Sequence, residues 1–365
     1  MAHTLQERYA ALVDMRLRAA LVTTDTGSVP VFNTRYEGSP KAGAVKIPVR
    51  DAETTVSDYD KVTGASLSTG TTTYLTVTDF NDKVVNELID GFDAQAVPDN
   101  IVADRLDSAG YTGSQILDTD ALDTLAAQGT MEADHTDTTS SNVYSRIVDA
   151  RQALSEANVP STGRYLIVSP SIYSALLKDT TNFIRQGDMS QTLVNQGYTG
   201  MIAGFAVKES NNMPGSVEFI AGHSDWCHRV REWVVLPHIQ DLNGDGTHIG
   251  ASAVQGRWIF KHKVSKAAAV YVKFLNELTV TSEAGTLAGD TKITVSPTIG
   301  AGHTYAYKTA ASVVIPQYGV APVGFTAWNG TADITATTGD DIVIVELDAG
   351  GLTVKTGIAE VVSKA

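Results

Sequence analysis

Apolar residues at Leu5, Tyr9, Leu12, Val13, Leu17 and Ala20 recur at steps of three and four, opposed by Arg8, Asp14 and Arg18. That spacing predicts an amphipathic helical arm over residues 4–21. After the Gly- and Pro-punctuated "TGSVPVFNTRYEGSPKAG", the pattern switches to alternation in "AVKIPVRD" and "TTTYLTVTDF", which predicts two strands. Residues 51–73 between them are rich in Thr, Ser and Asp with little to bury, so an extended two-stranded ribbon is expected, needing a neighbour to lie on. From Phe80 to about Gln128 the period becomes helical in "FNDKVVNELIDGF", "PDNIVADRLDSAG" and "DTDALDTLAAQ". Pro98 with Asp99 suits a helix opening, because proline fits the first turn and the acid complements the positive end of the dipole. Leu122, Leu125 and Ala126 continue an apolar face. One long helix interrupted near Gly110 and Gly113, or two shorter helices, satisfies the pattern equally.

A polar break, "TMEADHTDTTSSN" at 130–142, marks a candidate boundary before a third helix, in which Val143, Ile147, Ala150 and Leu154 recur at period 3.6. "RYLIV", between Gly163 and Pro170, is a continuous apolar run of the kind buried on both faces of a sheet. Ser169 is the expected N-cap of the next helix, with Pro170 at its first position and Ile172, Leu176 and Leu177 packing. A helix, strand, helix unit on an α+β body results. "GFAVKES" and "SVEFIAGH" add short strands, and "GRWIFKHKVSKAAAVYVKF" at 256–274 reads as one long returning strand. Beyond Asn276, "ELTVTSEAG", "TKITVSP", "TYAYKTAA", "TADITAT", "DIVIVELDAG", "LTVKTG" and "AEVV" are short alternating runs separated by turn-formers. They predict a separate all-β sandwich module with Tyr305 and Trp328 in its core.

Charge narrows the partners. Across 365 residues, 27 Lys and Arg stand against 41 Asp and Glu, a formal net charge of −14. That balance argues against holding nucleic acid by phosphate neutralisation and against an anionic membrane surface. No apolar run reaches the roughly 18 residues that span a bilayer. The N-terminal stretch lacks the pattern of a signal peptide, so folding in a cytoplasm is expected. One cysteine, Cys227, forms no internal disulfide.

Candidate chemistry is thin. Asp241, Asn243 and Asp245 occupy positions 1, 3 and 5 of a calcium loop with Gly246 at 6, but Ser252 replaces the bidentate acid at position 12 and His248 occupies position 8. An Asx-rich turn is the expectation there. "GHSDWCH" at 222–228 suggests a nucleophile elbow or a metal cluster through His223, Ser224, Cys227 and His228. Trp226 stands where the second elbow glycine belongs, and adjacent Cys227 and His228 diverge on any regular element. Neither phosphate-loop nor dinucleotide signature occurs. Asp118 with Asp120, and Asp340 with Asp341, read as turn and capping residues. No catalytic residue, metal site or cofactor is expected.

The order of elements, together with "KIPVRDAETTVSDYD", "TTTYLTVTDF", "ALSEANVPSTGRYLIVSPSIYSALLKD" and "GFAVKESNNMPG", resembles the major capsid protein of tailed bacteriophages, which has the Hong Kong 97 fold. The likeness spans roughly residues 1–276. It implies an N-terminal arm (1–35), an extended loop (36–78), a peripheral domain with a long spine helix (79–140 and 246–276) and an axial domain (141–245). The sandwich (277–365) would be an added immunoglobulin-like surface domain. The resemblance implies a homo-oligomer of hexamers and pentamers in an icosahedral shell, aided by scaffolding and portal proteins. It implies packaged double-stranded DNA without sequence-specific binding, in a virion assembled in the host cytoplasm. Arg50, Asp51, Tyr59 and Lys61 in the loop are the expected subunit contacts. A covalent lysine to asparagine link, known in some members, has no supporting motif here. Two other readings stay open: a surface-layer or adhesion-type protein with a terminal β module, and a serine hydrolase using Ser224 with His223 or His228.

Overall fold

The computed structural model describes residues 21–49, 53–54, 56–65, 73–90, 101–134, 136–179, 200–243, 247–248, 250–275 and 278–365. The predicted arm at 4–20 and the helix opening at Pro98 and Asp99 lie outside them. In chain order the elements begin with β1 (Glu37–Ser39), β2 (Ala44–Val49), β3 (Thr73–Val77), β4 (Asn81–Ile89), α1 (Ile101–Gln128), β5 (Thr130–Met131) and α2 (Val143–Glu156). There follow β6 (Arg164–Val168), α3 (Pro170–Lys178), β7 (Met201–Ile202), β8 (Phe205–Glu209), β9 (Val217–His223), β10 (Cys227–Asp241), β11 (Ser252–Val264) and β12 (Val270–Phe274). The last part holds β13 (Thr279–Ala284), β14 (Asp290–Ser296), β15 (Thr304–Ala310), β16 (Thr326–Trp328), β17 (Ile334–Thr335), β18 (Asp341–Leu347) and β19 (Thr353–Glu360).

One compact unit comprises Asn33–Asp118 and His228–Ser265. Here β2 pairs with β1 and β3, and Val45 and Ile47 alternate buried against exposed neighbours, as period two requires. A second sheet runs β10, β11, β4. Its last strand corrects the expectation of a helix over "FNDKVVNELIDGF". Nine residues of β4 instead pair antiparallel with β11, from Phe260 opposite Asn81 to Ser252 opposite Ile89. Adjacent Val84 and Val85 favour a pleated strand, and the pairing with β11 overrides local helix propensity. Cross-strand contacts reinforce it: Arg257 meets Asp82 at 2.5 Å and Gln255 donates to Asn86 at 3.1 Å. Where the pattern left open one long helix interrupted near Gly110 and Gly113 or two shorter helices, Ile101–Gln128 is one uninterrupted helix. Gly113 is where the Trp258 ring packs, since a Cβ there would sit 3.2 Å from it. Arg105 of α1 donates to Glu87 of β4 at 2.8 Å.

The other unit comprises Val22–Phe32, Thr119–Cys227 and Lys266–Ala365. Its body is a six-stranded mixed sheet ordered β5, β12, β9, β6, β8, β7. All five residues of β6 are buried, the predicted two-face burial. Val143, Ile147, Ala150 and Leu154 of α2, with Ile172 and Leu176 of α3, pack on Leu166, Val168, Phe219 and Ala221. The stretch 256–274 is two strands rather than one. Ser265, Lys266 and a 3-10 turn at Ala267–Ala269 separate β11 from β12, which lie in different sheets. Three alanines offer none of the side-chain packing that would carry a strand onward.

The C-terminal sandwich faces a sheet of β13, β14 and β17 against one of β16, β15, β18 and β19. Tyr305 and Trp328, ring centroids 5.8 Å apart, lie in its core with Ile293, Ile342 and Ile344. On β18, Val343 and Val345 face the other way and are also fully buried, beneath Val313, Ile315 and Phe325.

Arg164 explains the start of the buried strand. Its guanidinium, 2% exposed, donates through Nε to Pro160 O at 2.8 Å and through Nη2 to Val159 O at 2.6 Å. Nη1 reaches Arg151 O at 3.3 Å and Ser155 Oγ at 3.2 Å. Val159 and Pro160 belong to the turn that follows α2, and the cation sits against the negative end of the helix dipole; the last helical carbonyls, Ala153, Leu154 and Ser155, take the Ala157, Val159 and Asn158 amides. Burial, then the neighbouring Arg151 charge, lowers the Arg164 pKa from the ordinary guanidinium value. Arg164→Ala removes the donor to the Val159 and Pro160 carbonyls of this buried turn and is expected to cost about 3 kcal/mol. Arg164→Lys recovers only part, because one ammonium lacks the fork that spans them. A urea unfolding midpoint unchanged in both variants would contradict this role.

Candidate functional site

The residues with reactive side chains are occupied by structure. His223 Nε2 lies 3.0 Å from Thr162 O, and its Nδ1 accepts the Asp225 amide at 3.2 Å, which assigns the ring proton to Nε2. That leaves no lone pair to take a proton from Ser224, itself buried in the 3-10 turn Ser224–Trp226. Cys227 is fully buried, its sulfur 3.3 Å from the Tyr165 hydroxyl, and burial pushes the thiol up to about 12. It is an inert thiol at neutral pH. His228 Nε2 pairs with Ser265 Oγ at 3.1 Å. In the 241–252 loop, Asp241 accepts the Asn243 amide at 2.9 Å, and Asn243 Oδ1 accepts Gly250 N at 2.7 Å. These oxygens hold the turn together, as an Asx turn does. Asp245 and Gly246 lie outside the described residues. Among the described residues no group of three or more His, Cys, Asp or Glu is placed to hold a metal ion.

Buried charge serves to pin a loop. Lys273 of β12 is fully buried, forms an ion pair with Glu132 at 3.4 Å and donates to the Asp134 carbonyl. Arg146 of α2 bridges Glu132 at 3.1 Å and Asp134 at 2.5 Å. The Thr136 amide and hydroxyl, then Arg146 and Lys273, hold the Asp134 carboxyl well below its ordinary range. Burial first and Glu132 second push the Tyr271 phenol well above 10.0. Thr138 donates its amide and hydroxyl to Glu218 at 3.0 and 2.5 Å. The polar stretch after β5 is thereby fastened over the sheet.

Several apolar side chains are exposed. Of the four expected contact residues, Arg50 and Asp51 lie outside the described residues, while Tyr59 is 75% exposed and Lys61 is exposed. Tyr59 and Lys61 flank Asp60, whose Oδ1 accepts Val62 N at 2.6 Å and Thr63 N at 2.9 Å, closing a turn back to Gly64. The same turn presents Val56 and Val62, each 93% exposed. Sequence pattern passes over these valines because the polar stretch around them has little to bury; isolated apolar residues in such a run are the available signal. On the sheet of β10, β11 and β4, Val84, Leu88, Trp233 and Leu236 are exposed as well.

The sandwich is joined to the rest of its unit by specific contacts. Gln317 Nε2 donates to Ala126 O at 2.9 Å and Gly129 O at 2.6 Å, supplying donors at the end of α1. Tyr318 stacks obliquely on Phe274 with centroids 6.1 Å apart, and its hydroxyl donates to Asp123 Oδ1 at 3.3 Å. Gly319 has φ +68 and lies so near Ala127 that a Cβ would approach to 2.9 Å. Ser216 Oγ donates to Val354 O at 2.5 Å. A hollow of about 270 Å³ beside this junction is lined by Asp123, Tyr318, Asp348 and Thr353 among others.

Comparison with known proteins follows the same division. Residues 83–272 match the family model described as phage capsid protein, and residues 283–364 match that of the S-layer protein SbsC C-terminal domain. No curated protein matches the chain. Among solved structures, a chain from Mycobacterium phage Che8 is 18% identical, with 73% of this chain and 96% of that one covered at a TM-score of 0.58. The capsid structure of the Cyanophage P-SCSP1u gives 13% identity, 74% and 93% coverage and a TM-score of 0.58. The bacteriophage PhiM1 mature capsid gives 14%, 76% and 93%, and 0.56. At these identities the structural likeness shows a shared fold.

Burial, with Asp120 adding like charge, raises the Asp123 carboxyl above 3.8 against the opposing Tyr318 hydrogen bond. A folded-state pKa above the unfolded one gives stability that is present below 3.8 and lost as pH rises through the folded value. Asp123→Asn keeps an acceptor for Tyr318 and removes that loss. Its melting temperature should exceed the parent's at neutral pH and converge with it in acid; parallel curves across that range would refute the assignment.

Proposed function

The chain belongs to the phage capsid protein family, and from that we infer that it is a major capsid protein, self-assembling into the icosahedral head shell that encloses the genome. The observation carrying this is the family match across 83–272, set on a Hong Kong 97-type α+β fold with an added C-terminal β sandwich. The protein is a virion component of a structural family. Its surfaces suit that role, since shells are closed by several modest contacts per subunit, each on the order of 800 Å² per partner or less, that reinforce one another through effective concentration.

The finer reading is ours. Residues 36–78 form the extended loop, 79–140 with 246–276 the peripheral domain, 141–245 the axial domain and 277–365 the surface domain. Copies assemble as hexamers and pentamers in the host cytoplasm, with scaffolding and portal proteins as partners. Arg50, Asp51, Tyr59 and Lys61 contact neighbouring subunits, joined by Val56 and Val62 on the same turn. The net charge of −14 supports an acidic inner wall along which packaged double-stranded DNA slides without sticking. Purified shells that retained free DNA at ordinary salt would contradict that last point.

A second reading, a surface-layer or adhesion-type array, is favoured by the SbsC match, which concerns the sandwich alone. Electron microscopy of the expressed chain, with its co-expressed neighbours, separates the two: closed hollow particles support the capsid, flat lattices the array. For the hydrolase reading, esterase activity abolished by Ser224→Ala would be the required result. Val56→Asp with Val62→Asp is expected to abolish particles while leaving the melting temperature within about 1–2 °C, because exposed positions tolerate substitution. Normal particle yield from this variant would remove the turn from the interface.

A further inference from the structure

Between Lys308 and Asp333, residues 309–332 carry no charged side chain. Residues 311–325 of that run cross the face of the four-stranded sheet that points away from the sandwich core, with Val313, Ile315 and Phe325 packed on Ala306, Val343 and Val345. Other residues of this flap are apolar and exposed: Val314 is 87% exposed, Val323 86% and Val320 40%. Its backbone is tied down. Gly319 N donates to Thr353 O at 2.8 Å, and Val320 O accepts the Thr353 amide at 3.0 Å and hydroxyl at 2.8 Å. The Lys308 ammonium lies over the Phe325 ring, 5.8 Å from its centroid. The valines are therefore presented from an anchored strip of chain.

Depletion of charge together with exposed apolar side chains is the composition of an interface core. We propose that the flap is a homotypic contact, in which the flaps of two neighbouring copies pack on one another about a two-fold axis. The occupant follows from charge. The nine Asp and Glu and four Lys of residues 277–365 all lie outside the flap, so this is where two acidic copies approach without opposing like charges. A polyanionic or strongly basic partner would find no charge there to pair with. An apolar strip is complementary to itself, and a two-fold contact closes without propagating. The strip is small, on the order of a few hundred Å², below the roughly 800 Å² per partner of a free-standing pair. It therefore reinforces subunits already held next to each other and is silent in the dissociated chain. The inference rests on the capsid reading, which supplies the neighbouring copy.

Val314→Cys and Val323→Cys, singly and together in the full chain, test it, because the sole native cysteine is buried. Assembled particles treated with a short bismaleimide should convert most of the substituted chain to covalent dimers, while dissociated chain stays monomeric. Val314→Asp with Val323→Asp should leave the dissociated chain's melting curve unchanged and release subunits from particles about tenfold faster in denaturant. Particles that give no dimer with any cysteine variant, or Asp-variant particles as durable as the parent, overturn the proposal while leaving the capsid reading intact. Loss of binding to host envelopes in the Asp variant, without dimers in the cysteine variants, would assign the flap to another partner and overturn it likewise. If the unsubstituted chain forms no particles, the capsid reading fails and the flap contact with it.

Discussion

Helices that end inside a protein leave carbonyl groups turned toward an environment without water, and each must find a donor. Much of this molecule is arranged around that requirement. Just past α2, whose last carbonyls take the Ala157, Asn158 and Val159 amides, the donor to the Val159 and Pro160 carbonyls of the turn is Arg164, delivered by the first residue of the adjacent buried strand. At the end of α1 it is Gln317, delivered by the C-terminal module nearly two hundred residues later in the chain. The first is local and fixes how α2 meets its sheet. The second makes the module part of the same compact unit as the six-stranded sheet, so helix, sheet and sandwich depend on a common junction.

Charge follows the same economy. An acidic chain has few cations to place inside, yet Lys273 is fully buried and, with the part-buried Arg146, meets Glu132 and the exposed Asp134, fastening a loop that has little apolar surface to hold it. Such pairs fix geometry more than they add stability. The exposed apolar residues are different in kind: Val56, Tyr59 and Val62 in a polar stretch, Val84 and Leu88 on a sheet, and Val314 and Val323 on an uncharged flap. Cys227 is buried against Tyr165, and both nitrogens of His223 are committed to the backbone. The division suits a protein that works by contact.

Period and punctuation made much of the fold legible. The burial of Val143, Ile147, Ala150 and Leu154, the five buried residues of "RYLIV", and the pairing of Tyr305 with Trp328 were all readable because local pattern and tertiary environment agree there. Legibility failed where they disagree. Residues 81–89 carry a helix-compatible spacing, but β11 offers a full-length partner and pairing decides the outcome. The break at Ala267–Ala269 was hidden inside a run of β-formers because the change of sheet is a property of the partners. Tyr59 and Lys61, expected as contacts through resemblance of the loop, are exposed. The valines beside them and those of the flap were missed because exposure is decided by what the rest of the chain fails to cover.

The Gln317 and Tyr318 contacts carry an evolutionary corollary. A sandwich of this kind looks like a cassette that recombination could exchange by cutting near residue 277, but the cut would strand Ala126 O, Gly129 O and the Phe274 ring. An incoming cassette would have to bring its own amide and aromatic pair, or be inherited together with the last turn of the spine helix. The heritable block is thus larger than the visible domain, and variation at Asp123, Ala127 and Phe274 should track the lineage of the sandwich rather than that of the shell-forming body.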